Sequence, residues 1–137
     1  MAKKPTVSGL KKKCWSLFSE VVRRTHADFE GFASCVTCGR RYEWKKLHAG
    51  HLVSGRGNSI LFDERGVYPQ CYGCNIGKSG AVLEYVDFIE TLHGKRAGKK
   101  LIKELRQKAK QTKTFTIGEL EELRNELETK IQKLDQM

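Results

Sequence analysis

Apolar residues recur at helical spacing near the amino terminus. Leu10, Cys14, Leu17, Phe18, Val21 and Val22 share one face of a helix predicted over residues 8–27, with Ser8 as its N-cap. After residue 31 the period changes. Tyr42, Trp44 and Leu47 alternate with charged residues, as on a half-buried strand, and short strands are expected around Cys35 and Cys38. Residues 53–66 collect Ser54, Gly55, Gly57, Asn58, Ser59 and Gly66 and read as a loop. Helical spacing returns at Val82, Tyr85, Val86, Ile89 and Leu92, predicting a helix over residues 79–92 that Gly94 ends. Leu101, Ile102, Leu105 and Ala109 then form the apolar side of a basic helix over residues 95–111. Thr116-Ile-Gly-Glu119 is a capping-box pattern and opens a last helix that runs to Leu134. Within it Leu120, Leu127 and Leu134 fall seven apart, with Leu123 and Ile131 beside them. That stripe fits either a coiled-coil seam in a homodimer or packing on the chain's own basic helix.

With 137 residues the chain has room for one compact domain and its appendages. Hydrophobic residues are 39% and charged residues 31%, which supports a modest core and excludes a wholly disordered chain. No apolar run approaches the roughly 20 residues that span a bilayer. No signal-peptide pattern follows Met1. A soluble, cytoplasmic protein without a membrane partner is expected. The formal net charge of +10 points to an anionic partner, first of all nucleic acid.

That charge is unevenly placed. Residues 1–13 carry five lysines and no acid, and residues 14–93 carry nine basic and nine acidic residues. Residues 94–113 carry nine basic residues against Glu104 alone, and residues 114–137 carry three basic and six acidic ones. A neutral centre is therefore flanked by basic arms of +5 and +8 and closed by an acidic tail. The expected division is a basic N-terminal arm and helix over 1–30, a core over 31–94, and a basic helix followed by an acidic, possible dimerising helix over 95–137.

Chemistry enters with the cysteines. Cys35-Val-Thr-Cys38 and Cys71-Tyr-Gly-Cys74 are two C-x-x-C pairs with 32 residues between them. A reducing compartment disfavours disulfides, and four thiolates at this spacing suit one tetrahedral, structural Zn²⁺. No βαβ pattern surrounds either pair, so a thioredoxin-like redox role is not indicated. Cys14 lies on the apolar face of the first helix and belongs with the core.

Between the pairs stands His48-Ala-Gly-His51, and Asn75 directly follows Cys74. With four thiolates on the zinc, these histidines are available for other chemistry. The arrangement resembles the HNH, or ββα-metal (His-Me finger), nucleases. A closer resemblance is to the phage NinG/Rap recombination endonucleases, and a more distant one to phage endonuclease VII. It is carried by Phe18-Ser-Glu, Cys35-Val-Thr-Cys-Gly, His48-Ala-Gly-His51, Gln70-Cys-Tyr-Gly-Cys-Asn75 and Lys78-Ser-Gly80, from about residue 10 to 95.

The resemblance implies an α+β fold: a small zinc-stapled ββα-metal (HNH-like) core with an N-terminal helix and two C-terminal helices. It implies His51 as general base and Asn75 as ligand of a catalytic Mg²⁺ or Mn²⁺. His48 is then a second ligand of that ion, a second base or a DNA contact. Gly50 stands where many of these nucleases carry a ligating Asp, so His48, or else Asp63 or Glu64, would have to replace it. Gly66 stands where a loop-bracing Asn is common, unless Asn58 serves. The implied function is structure-selective cutting of branched recombination DNA, Holliday junctions or D-loops, by a hydrolytic endonuclease working beside a recombinase partner in the host cytoplasm. The alternatives are a generic HNH nickase and a non-catalytic zinc DNA-binding module.

Arg40, Arg41, Lys45, Lys46, Arg56 and Lys78 are the expected DNA contacts near the site. Lys95, Arg96, Lys99, Lys100 and Lys103 are those on the basic helix. His26 and His93 read as caps or surface residues. Tyr42, Trp44 and Tyr72 read as packing of a small core.

Overall fold

The computed structural model describes residues 4–55 and 57–137. Its first helix, α1 (Val7–Thr25), is capped by Thr6, whose hydroxyl accepts from the Gly9 N–H at 3.0 Å. The cap lies two residues before the expected Ser8, because Thr6 is the residue with extended backbone there. Two short antiparallel strands follow, β1 (Phe32–Ser34) and β2 (Arg41–Glu43), with the first cysteine pair in the turn between them. Trp44–Lys46 form a single 3₁₀ turn, and the chain then enters β3 (His48–His51).

The stretch expected as loop holds one helical turn, α2 (Asn58–Leu61), because Ile60 and Leu61 are buried. Strand β4 (Val67–Gln70) pairs antiparallel with β3, setting His48 opposite Gln70 and His51 opposite Val67. A π-helical turn, Gly73–Gly77, carries the second cysteine pair onward. Helix α3 (Val82–His93) starts three residues later than its apolar spacing predicts. Ser79, Gly80 and Ala81 all have positive φ, and a right-handed helix cannot begin until they are passed. Gly94, at φ 89°, ends α3 as expected and leads into α4 (Lys95–Ala109). The Thr116–Glu119 capping box is formed and opens α5 (Ile117–Asp135).

The β3–β4 hairpin separates two apolar clusters. Ala49 and Val67 face α1 and α5, joining Leu10, Cys14, Phe18, Val22, Leu120 and Leu127. Next to the hairpin's other face, Leu52, Tyr85, Ile89, Ile102 and Leu105 bind α3 to α4. A third cluster of Ala33, Cys35, Leu47, Cys71, Cys74 and Ala81 surrounds the cysteines. The leucine stripe of α5 is spent on α1. Leu120 is wholly buried there, and the thiol of Cys14 donates to its carbonyl at 3.2 Å. Within the chain, Leu120 and Leu127 of the stripe are thus covered by α1 and not by the basic helix α4. Among the described residues no helix is long and apolar enough to cross a membrane.

Because Leu120 holds α5 on α1, Leu120→Ala should lower the unfolding free energy by about 3 kcal/mol. Urea unfolding followed by circular dichroism measures this. An unchanged midpoint would contradict the docking of α5.

Candidate metal centre and active-site cleft

The β1–β2 turn and the turn after β4 bring all four C-x-x-C cysteines together, their sulfurs within 4.8 Å of one another. Cys38 Sγ and Cys71 Sγ are 3.8 Å apart. A tetrahedron with zinc–sulfur bonds of about 2.3 Å has sulfur edges of about 3.8 Å, so the donor set fits a structural zinc ion. Burial opposes charge on Cys35, but the Thr37 hydroxyl and the backbone around Cys71, Thr37 and Cys38 outweigh it and bring its pKa to about 6. Burial pushes Cys74 up to about 12 and raises Cys38, with the neighbouring cysteines adding to both. Burial thus disfavours charge on Cys38 and Cys74, a cost that a bound dication would offset.

Gln70 ties this centre to the hairpin. It is fully buried, and its side-chain amide donates to Thr37 Oγ1 at 3.2 Å and to the Gly80 carbonyl at 2.9 Å. Thr37 Oγ1 lies 3.3 Å from Cys35 Sγ. Gln70 Oε1 points at Gly50, where a Cβ would sit 1.8 Å from it. A side chain at position 50 would therefore have to displace Gln70. Gly66 is likewise closed over, with Leu105 2.9 Å from where its Cβ would be.

A cleft of about 490 Å³ opens beside β3. His48, His51 and Asn75 all line it, together with Trp15 and Ser19 of α1. Alternation along a strand sends residues 48 and 51 to opposite faces, so the two histidines reach the cleft around the strand from either side. His51 Nε2 is 3.1 Å from the Leu61 carbonyl oxygen. A carbonyl only accepts, so Nε2 carries the proton and the neutral ring's lone pair lies on Nδ1. The ring stacks on Trp15 with centroids 5.4 Å apart and planes 18° from parallel. On the other side, Asn75 Nδ2 donates to His48 Nδ1 at 3.1 Å, and Tyr72 meets the His48 ring edge-on.

Other expected residues lie elsewhere. Asp63, a substitute ligand in the sequence reading, is held by Arg65 and Lys108, both at 2.8 Å, and does not line the cleft. Those partners, the Arg65 side chain above all, hold its carboxyl well below the usual carboxylate range. Glu64 also lies outside the cleft lining. Asn58 donates to the Lys113 carbonyl at 3.0 Å and braces the connection between α4 and α5 rather than the site. Tyr72 is 64% exposed, so it is no core residue, because the π-helical turn faces it outward. His26 caps α1 and packs on Tyr68, and His93 is exposed in the last turn of α3.

Arg40, Arg41, Lys45, Lys46 and Lys78 are exposed, and Arg41 is paired with Asp28. Lys95, Arg96, Lys99, Lys100 and Lys103 are exposed on α4 and do not line the cleft. Arg56 lies outside the described residues. The residues that the sequence reading missed are Trp15 and Ser19. Their period in α1 was visible, but nothing in it announced which wall α1 would supply.

Among known protein families, the one described as Bacteriophage Lambda NinG protein matches residues 2–136. No curated protein and no solved structure matches.

The purified chain should carry one zinc ion, and Cys71→Ser should lose both the metal and cooperative unfolding. Metal analysis and thermal unfolding test this, and a metal-free protein with an unaltered melting temperature would refute it.

Proposed function

The chain belongs to the NinG family, and we propose that it is a metal-dependent endonuclease that hydrolyses branched recombination DNA of the Holliday-junction or D-loop type. The carrying observation is that His48, His51 and Asn75, from a strand and a turn 24 residues apart at His51 and Asn75, line one cleft beside the cysteine centre. In this reading β3, β4 and the turn holding Asn75 act as the ββα-metal unit.

The reaction needs a base, a charge stabiliser and access to a phosphodiester. His51 Nδ1 takes a proton from a water in the cleft, while the Leu61 carbonyl fixes the tautomer and Trp15 restrains the ring plane. Gly50 rules out an acidic ligand before the base, leaving Asn75 and His48 as the donors for a divalent ion. Asn75 would offer its side-chain carbonyl oxygen and His48 a ring nitrogen, giving up the hydrogen bond that now joins the two side chains. Bound Mg²⁺ or Mn²⁺ would neutralise the charge that develops on the phosphate and its departing oxygen. The four-thiolate centre has no open position and serves to hold the frame.

Affinity comes from the exposed cations. Those on α4 grip phosphates without reading bases, which suits selection by DNA shape. Cutting two strands of a junction symmetrically favours a homodimer, whose seam would lie away from the leucine stripe of α5.

His51→Ala should slow single-turnover cleavage of a four-way junction by about 10² to 10⁴, with junction binding kept. An unaltered rate would remove His51 from the mechanism. Equal cleavage of a junction and a matched linear duplex would reduce the activity to a generic nickase. Binding without cleavage in either Mg²⁺ or Mn²⁺ would leave a zinc DNA-binding module. Replacing Lys99 and Lys103 together by Gln should weaken binding and flatten its salt dependence by about two in log–log slope. Cleavage at saturating protein should be unchanged, and its loss would place these lysines in the chemistry.

A further inference from the structure

Three cations gather on one indole. Arg23 and Arg24 lie 5.2 and 5.5 Å from the centre of the Trp44 ring, and the Lys45 ammonium lies 5.9 Å from it. Their charges are not balanced alike. Arg24 is neutralised by Glu20 at 3.1 Å and by Asp135 at 2.8 Å. Arg23 and Lys45 have no carboxylate within ion-pair distance among the described residues.

Arg23 is half-buried, and its donors on one side are occupied. Nε donates to the Ser19 carbonyl at 3.0 Å and to Ser19 Oγ at 3.1 Å, and one terminal nitrogen reaches the Trp44 carbonyl at 3.4 Å. These contacts lock the guanidinium in place, and Glu20, which is ion-paired with Arg24, acts on its charge only from beyond ion-pair distance. A partly desolvated cation held this way is costly unless an anion completes it.

Its position says which anion. Ser19 lines the cleft, and Arg23 is one helical turn further along α1. On the other chain segment, Trp44 comes four residues before His48, which also lines the cleft. Both segments that build the cation cluster therefore run directly into the candidate active site. A polyanion lying in that cleft would place another of its charges at this end.

We propose that Arg23 and Lys45, mounted on Trp44, form a second phosphate site that holds a non-scissile phosphodiester of the DNA strand bound in the cleft. Arg23 supplies a fixed planar donor group and Lys45 a mobile point charge. The site sets the register of the strand, so that the phosphate presented to His48, His51 and Asn75 lies a set number of nucleotides away. The proposal rests on DNA as the ligand of the cleft, and it does not require that the cleft be catalytic.

The test uses the full chain with its zinc in place and a synthetic four-way junction, without Mg²⁺ or Mn²⁺. Each backbone phosphate in turn is replaced by a neutral methylphosphonate, and binding is measured for the parent protein, Arg23→Gln, Arg23→Lys and Lys45→Gln. Arg23→Gln should weaken binding about tenfold or more and reduce the log–log salt slope by about one. Arg23→Lys should recover the slope but only part of the affinity. One methylphosphonate position should weaken the parent by a similar factor and leave Arg23→Gln unaffected. If Arg23→Gln binds like the parent, or its effect adds to that of every methylphosphonate, Arg23 is only a brace between α1 and Trp44 and the proposal fails. Absence of DNA binding by the parent would overturn this site and the nuclease reading together. Binding here, with no cleavage once Mg²⁺ or Mn²⁺ is added, would overturn the nuclease reading alone.

Discussion

The short ladder between β3 and β4 is the contact on which the rest of the molecule depends. Four residue pairs align His48 with Gln70 and His51 with Val67. A single two-stranded ribbon is marginal by itself in water. Here it is stabilised by apolar packing against α1 and α5 on one face, by Tyr85 on the other, and by the cysteine centre at its end. Tyr85 is wholly buried and donates to the Gly50 carbonyl at 2.7 Å, which fixes the hairpin on α3 at the residue just before His51. Because the side-chain period of a strand is two, a slip of one residue would turn both histidines to the wrong faces. The surrounding clusters prevent that slip.

Gln70 shows how tightly the metal centre and the cleft are coupled. It bonds to Thr37 beside Cys35, to Gly80 beyond Cys74, and fills the space over Gly50. A side chain at position 50 would displace Gln70, and Gln70 would in turn release Thr37 from the first cysteine pair. On the same strand, His48 is joined directly to Asn75 by a hydrogen bond.

Charge is organised along the same lines. Cations within the body are mostly paired: Arg24 with Glu20 and Asp135, Arg65 with Asp63 and Glu104, Lys108 with Asp63. Those on the outer side of α4 are exposed, and Arg23 is half-buried with no carboxylate at ion-pair distance among the described residues. The net charge of +10 therefore understates the distinction between cations that stabilise the fold and cations left for an anion. Asp63 belongs to the first group. Its carboxyl is depressed by its partners, so its contribution is complete above the usual carboxylate range and fades as pH falls through its lowered value.

Local patterns determined much of this protein by themselves. The periods of α1, α4 and α5, the capping box at Thr116, the stop at Gly94 and the two cysteine pairs depend on neighbours in sequence, and their chemistry is short-range. So does the link from Cys74 to Asn75, which ties one cleft residue to the metal centre. What depends on distant segments was not legible. The period of α5 revealed an apolar stripe but not that α1 would cover it, since a stripe carries no address. Nor did His51 announce Trp15 and Leu61, or Gly50 announce Gln70, because each pairing is made only when separate elements close on the hairpin. The cysteine, histidine and asparagine side chains were written in the sequence. Their convergence on the cysteine centre and the cleft beside it was decided by three-dimensional packing, which alone sets distance and direction between residues far apart in the chain.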